Sequence, residues 1–166
     1  MDKKALILVA DDNSDCRRLL VRILELHGFR TISATCGLEA VESAIAFQPR
    51  LVLMDLSMPG MDGFEATQAI HAHPRGRNIP VAAVSSYCVD SGFVSALKGR
   101  FIACLGKPWE EEALLQTVTK ALAGAVKHTR VFSTPEKRDQ RVSRLGITPQ
   151  SAESGDHVWT PKAFAT

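Results

Sequence analysis

The chain has 166 residues, 45% of them hydrophobic, and a formal net charge of +2. That is enough apolar material for one sizeable core, so a single folded domain is expected. No apolar run approaches the ~20 residues that a bilayer-spanning helix needs, which excludes membrane insertion of that kind.

The charge is unevenly placed. Residues 1–126 carry 13 Lys and Arg against 14 Asp and Glu, whereas residues 127–166 carry 7 against 4. The N-terminal Met1-Asp2-Lys3-Lys4 and the apolar stretch after it imitate a signal peptide, but that stretch is short and ends in Asp11-Asp12 rather than a small-residue cleavage site. A cytoplasmic location is the expectation. Cys16, Cys36, Cys88 and Cys104 show neither a C-x-x-C pair nor zinc-like spacing, so four free thiols in a reducing compartment are expected.

In chain order, the first strand is predicted over 5–10. Asn13, Ser14 or Asp15 then caps a helix with Leu19, Leu20, Ile23 and Leu24 at helical spacing, stopped by Gly28. A second strand covers 30–35. Gly37 precedes a helix with Leu38, Val41, Ala44 and Ile45 on one face, ending before Pro49. The third strand is 51–55, followed by the turn-rich segment 57–63 and a helix over about 63–72. Pro80 opens strand four at 81–85, a weaker helix follows at 90–98, and strand five is placed at 101–105. The last helix follows Lys107-Pro108. Glu110, Glu111 and Glu112 suit its N-terminal dipole, and Leu114, Leu115, Val118, Ala121 and Leu122 form its stripe. Strict alternation of short apolar runs with helical patterns predicts one parallel sheet covered by helices on both faces.

Three acidic residues close apolar runs: Asp11 and Asp12 end the first strand, and Asp55 ends the third. In an open α/β sheet the strand C-termini form the ligand crevice, so these carboxylates should converge. Crowded carboxylates repel one another. A divalent cation among them resolves the repulsion, and an all-oxygen donor set points to Mg2+.

The acid pair, the segment Asp55-Leu56-Ser57-Met58-Pro59-Gly60-Met61-Asp62-Gly63, the hydroxyl of Ser85 ending strand four, and Lys107-Pro108 after strand five together resemble the response-regulator receiver family over residues 4–124. The resemblance implies a flavodoxin-like, doubly wound fold with strand order 2-1-3-4-5. It implies Asp55 as a phosphoacceptor, since a carboxylate is able to act as a nucleophile and form an acyl phosphate. It further implies Mg2+ ligation by Asp12 directly, by Asp11 through water, by Asp55 and by the backbone carbonyl of Ser57. Lys107 would set its ammonium against phosphoryl oxygens, Ser85 would donate its hydroxyl to them, and the peptide before Pro108 would be cis. Pro59, Gly60 and Gly63 read as loop support: fixed φ, then tolerance of positive φ.

Two positions depart from that family. An aromatic residue usual three positions before the lysine is replaced by Cys104, which removes the ring that couples the site to the output face. Tyr87, two residues past Ser85, is a candidate substitute. Lys98-Gly99-Arg100 also replaces a more familiar small-residue sequence. Residues 127–166 carry scattered large apolar residues among Ser, Thr, Pro and charge, and read as a basic flexible tail with a possible short helix near 136–145. Its modest charge argues for a tether rather than a nucleic-acid surface. The dinucleotide fingerprint and the P-loop are both absent.

These features imply a signalling switch that receives a phosphoryl group from a histidine kinase or histidine-containing phosphotransfer protein. Output would run by protein contact on the face of helix four, strand five and helix five, in a monomer or phosphorylation-dependent dimer. It would not be a conventional enzyme. The alternative is a decayed receiver acting as a phosphorylation-independent interaction module. An aspartyl-phosphate phosphatase fits worse, because Ser57 stands where such enzymes place a second carboxylate.

Overall fold

In the computed structural model, which describes residues 5–97 and 99–124, five strands alternate with five helices. The strands are β1 (Leu6–Ala10), β2 (Arg30–Ala34), β3 (Leu51–Asp55), β4 (Val81–Ser85) and β5 (Ala103–Gly106). The helices are α1 (Ser14–Leu26), α2 (Gly37–Phe47), α3 (Gly63–Ala72), α4 (Ser91–Ala96) and α5 (Glu111–Leu122), with a single 3₁₀ turn at Ser86–Val89. All pairings are parallel and the strand order is β2-β1-β3-β4-β5, the flavodoxin-like arrangement expected.

The central strands β3 and β4 are buried along their whole length, which is why they read as unbroken apolar runs: both faces are covered. Ile7, Val9, Leu51 and Leu53 pack with Leu20, Ile23 and Leu24 of α1 and with Leu114, Val118 and Ala121 of α5. On the other face Leu8, Ala10, Val52 and Met54 pack with Ala40 and Ala44 of α2, Ala66 and Ile70 of α3, and Leu97 after α4. Two stripe assignments need correcting. Leu19 and Leu38 are more than half exposed, because the buried faces run through Leu20-Ile23-Leu24 and Gly37-Ala40-Ala44. Gly37 is buried against Met61, whose backbone and side chain fill the space where a Cβ would stand. That close approach sets the face α2 turns inward.

Local capping explains the helix starts. Of the three candidate caps for α1, Asn13 serves: its side chain accepts from the N–H groups of Asp15 and Cys16. Asp62 and Glu65 form a reciprocal capping box at α3. Strand five starts two residues later than expected, at Ala103; the backbone N–H of Ile102 already reaches the Val81 carbonyl, but regular pairing begins beyond it. The 3₁₀ turn was absent from the sequence reading. The tail at 127–166 lies outside the described residues. No described helix is long and apolar enough to cross a membrane.

Candidate functional site

Register brings the acids together. Ala10 lies opposite Met54 across β1 and β3, so Asp11 and Asp55 leave neighbouring strands at the same level. Ser85 lies opposite Gly106 across β4 and β5, so Lys107 follows directly. Carboxylate oxygens of Asp11, Asp12 and Asp55 fall within 4.8 Å of one another. Asp11 and Asp55 are buried, whereas Asp12 stands exposed at the rim.

The two buried acids are anchored in the same way. One oxygen of each accepts a backbone N–H two residues on: Asn13 N–H to Asp11 Oδ1 at 2.9 Å and Ser57 N–H to Asp55 Oδ1 at 3.0 Å. The other oxygen of each accepts from Lys107 Nζ, at 2.8 Å for Asp11 and 2.7 Å for Asp55. Burial alone would lower the pKa of the Lys107 ammonium, but its hydrogen bonds to Asp11 and Asp55 and their charges outweigh that and hold it above its ordinary value. One ammonium against three carboxylates leaves the crevice net negative. A hard cation suits that balance, and every donor is oxygen. The residues present therefore fit Mg2+.

The loop beside Asp55 has its own geometric demands. Gly60 sits at φ 76°, in the left-handed region. A Cβ on Gly63 would run into the Asp55 carbonyl and the Leu56 Cα, so α3 begins packed against the strand that carries the central acid. Pro59 is exposed and Met58 buried. The Lys107–Pro108 peptide is cis, as the resemblance implied.

Other expected site residues stand differently. Ser85 is buried, but its Oγ accepts the Tyr87 N–H at 3.3 Å and so caps the 3₁₀ turn; only the Ser85 carbonyl links to Lys107, accepting its backbone N–H. Tyr87 is 61% exposed, with its ring 5.6 Å from that of Phe93 on α4. Phe64 packs edge-on against both Phe93 and Phe101. An aromatic row thus occupies the quarter where Cys104 supplies no ring.

The four-free-thiol expectation is wrong for two of the cysteines. Cys88 and Cys104 form a disulfide with a Cα–Cα separation of 5.6 Å, while Cys16 and Cys36 are free. Sixteen residues separate the pair in sequence, so no spacing motif announced it; only the alignment of β4 with β5 places them together.

Arg17 was also missed. Its Nη1 donates to the carbonyl of Asp11 at 2.6 Å and more weakly to that of Asp12 at 3.4 Å, fastening the acid pair to α1. The signal was available as an arginine on the first turn after the cap. Burial, and then the charge of Asp11, push the Cys16 thiol pKa up.

The comparisons with known proteins agree with this geometry. Residues 7–119 match the response regulator receiver domain, and the chain belongs to that family. It is 35% identical to protein PilH of Pseudomonas aeruginosa over 120 residues, covering 72% of this chain and 99% of that protein. It is 29% identical over 119 residues to the polar-differentiation response regulator DivK of Brucella ovis, covering 72% and 97%. Among solved structures, Vibrio cholerae chemotaxis protein CheY4 superposes with a TM-score of 0.68 at 25% identity, covering 72% of this chain and all of that one. The receiver domain of sensor histidine kinase PA1611 from Pseudomonas aeruginosa, solved with a magnesium ion coordinated in its active-site cleft, gives 0.67 at 26% identity, covering 73% and 99%.

Proposed function

We propose that this chain is a phosphorylation-driven switch in two-component signalling. Asp55 takes a phosphoryl group from the imidazole of a histidine kinase or a histidine-containing phosphotransfer protein, in the cytoplasm. The observation that carries the reading is the shared contact of Lys107 Nζ with Asp55 and Asp11, at the strand ends where three carboxylates meet.

Asp55 Oδ1 is tied to the Ser57 N–H, which leaves Oδ2 as the attacking oxygen. As Oδ2 bonds to phosphorus, the bond from phosphorus to the imidazole nitrogen breaks and its electron pair stays on the ring. The loose transition state asks for positioning and charge neutralisation more than for covalent chemistry. Lys107 exchanges its contact with Oδ2 for the phosphoryl oxygens and retains Asp11. Asp11, Asp12, Asp55 and the Ser57 carbonyl would hold Mg2+, which supplies charge neutralisation for the transferring oxygens. Ser85 releases the Tyr87 N–H and donates its hydroxyl to the phosphoryl group, which shifts the 3₁₀ turn and α4 between two states. Hydrolysis of the acyl phosphate resets the switch, so the chain modifies itself rather than turning over a separate substrate. A protein target reads the face of α4, β5 and α5. The disulfide at Cys104, in place of a mobile ring, favours one other reading: an interaction module that no longer switches.

Labelling separates the two. With Mg2+ and acetyl phosphate, wild type should gain one base-labile, acid-stable phosphoryl group and Asp55→Asn none. Absence of label in both supports the decayed module.

A further inference from the structure

We propose that Cys88 and Cys104 are a redox modification site, a reversible covalent staple closed by peroxide and opened by a dithiol reductant, which governs how freely the segment after Ser85 moves. Its effect on the switch rests on the phosphoacceptor reading, but its chemistry does not.

The position is specific. Cys88 lies within the turn that Ser85 caps, three residues after it, and Cys104 lies three residues before Lys107. The strands are in register here, with Ala83 opposite Cys104 and Ser85 opposite Gly106, and the Lys107 N–H bonds the Ser85 carbonyl. The disulfide and the ladder therefore close one ring, with Ser85 and Lys107 along its crevice edge. The Cα–Cα separation of 5.6 Å lies within the span that disulfides ordinarily bridge.

What the staple encloses needs it. Within residues 88–104 lies α4, a helix of only six residues, on which Ser91, Gly92 and Ser95 are exposed and Phe93 and Val94 no more than half-buried. Leu97 and Phe101 are its neighbours in the core. Segments with so few buried apolar contacts open at low free energy, and a cross-link closing a loop of this length removes much of the open ensemble. In a reducing cytoplasm a disulfide is transient and redox-responsive rather than permanent. Cys16 and Cys36 are not paired and serve as internal controls.

The chemistry balances with hydrogen peroxide as oxidant. One thiolate attacks a peroxide oxygen, the O–O bond breaks, and a sulfenic acid and water result. The second thiol displaces the hydroxyl, forming the S–S bond and releasing a second water; the two sulfurs give up two electrons to the peroxide. Reduction reverses this through a mixed disulfide, which the second thiol of the reductant resolves. Both sulfur-bearing residues are buried, at 3% and 7% exposure, so each reaction proceeds through opening of α4.

The test uses the full chain, reduced with dithiothreitol or oxidised with hydrogen peroxide. Thiols are trapped by alkylation and mapped by peptide mass spectrometry. Hydrogen exchange is followed over residues 86–102, and labelling by acetyl phosphate with Mg2+ is timed in both states. We expect peroxide to link Cys88 to Cys104 with neither Cys16 nor Cys36 in the linkage, and dithiothreitol to reverse it. Amides of the segment should exchange at least about tenfold more slowly when oxidised, and Asp55 should label several-fold more slowly. Cys104→Ser and Cys88→Ser should each abolish both differences, so either variant alone is sufficient if the other does not fold. No linkage under peroxide, linkage that resists dithiothreitol, or equal exchange in the two states overturns the staple. Slowed exchange with equal labelling overturns its control of the site. Linkage and exchange as expected, with no label in either state, leaves the staple standing and removes the phosphoacceptor reading instead.

Discussion

The crevice between β1 and β3 and the quarter between β4 and β5 lie at the same end of one sheet and are held by different forces. Around Asp11 and Asp55, backbone N–H groups and a half-buried ammonium hold both carboxylates, and the Arg17 guanidinium holds the Asp11 carbonyl. Beyond Ser85 the chain is a 3₁₀ turn and a six-residue helix, kept in place by an aromatic row and one cross-link. Charge and hydrogen bonding have to be preorganised wherever a site is to stabilise a transferring group. A segment that must change state is drawn from the less stable part of the fold. The two regions touch at the Lys107 N–H on the Ser85 carbonyl.

The largest expected effect breaks the first region. Lys107→Ala leaves two buried carboxylates without their cation and should lower stability by about 2–3 kcal/mol in metal-free buffer. Chemical denaturation should show that deficit shrink when millimolar Mg2+ is added, because carboxylates freed of the ammonium should bind the cation more tightly than those of wild type and so gain more from mass action. The pH dependence follows from the raised Lys107 pKa. The advantage of wild type over the variant should be complete at neutral pH and disappear as pH rises through the folded value, above 10.5.

Gly63→Ala should come next, at about 1–3 kcal/mol by thermal melting, since the added methyl meets the Asp55 carbonyl and the Leu56 Cα. It should also slow labelling, because the strand end carrying Asp55 has to shift. In the second region, Tyr87→Ala removes the ring that lies tilted against Phe93 and should cost no more than about 1 kcal/mol. Its main effect should be on phosphoryl lifetime or partner affinity; unchanged values for both would take Tyr87 out of the control of the site. The smallest effect is Glu39→Gln. The backbone N–H and then the hydroxyl of Thr35 hold the Glu39 carboxyl below its usual range, so its contribution, about 0.5 kcal/mol for so exposed a group, should be present at neutral pH and vanish in acid.

The contrast also explains what was readable from sequence. Parallel strands covered on both faces leave continuous apolar runs, so β1, β3 and β4 stood out, together with the acids that close β1 and β3. Capping chemistry narrowed the start of α1 to Asn13, Ser14 or Asp15, of which Asn13 serves. By contrast, Leu19 and Leu38 failed as members of their stripes because each lies beside the residues that pack, Leu20 on α1 and Gly37 on α2, the latter fixed by the close approach of Met61. The Cys88–Cys104 pair and the Phe64–Phe93–Phe101 row depend on strand register and helix docking, which are tertiary facts with no local pattern. Arg17 was in plain view, but its target is a pair of backbone carbonyls, which leave no trace in side-chain spacing.

Titration calorimetry of Mg2+ into metal-free protein, with wild type set beside Asp12→Asn, addresses the central claim directly. Asp12 lies exposed at the rim, so its substitution spares the core. Wild type should bind one ion with millimolar affinity, and the variant about tenfold or more weakly. No binding heat from wild type at millimolar Mg2+, or equal affinity in the two proteins, would contradict a crevice in which these carboxylates share a cation.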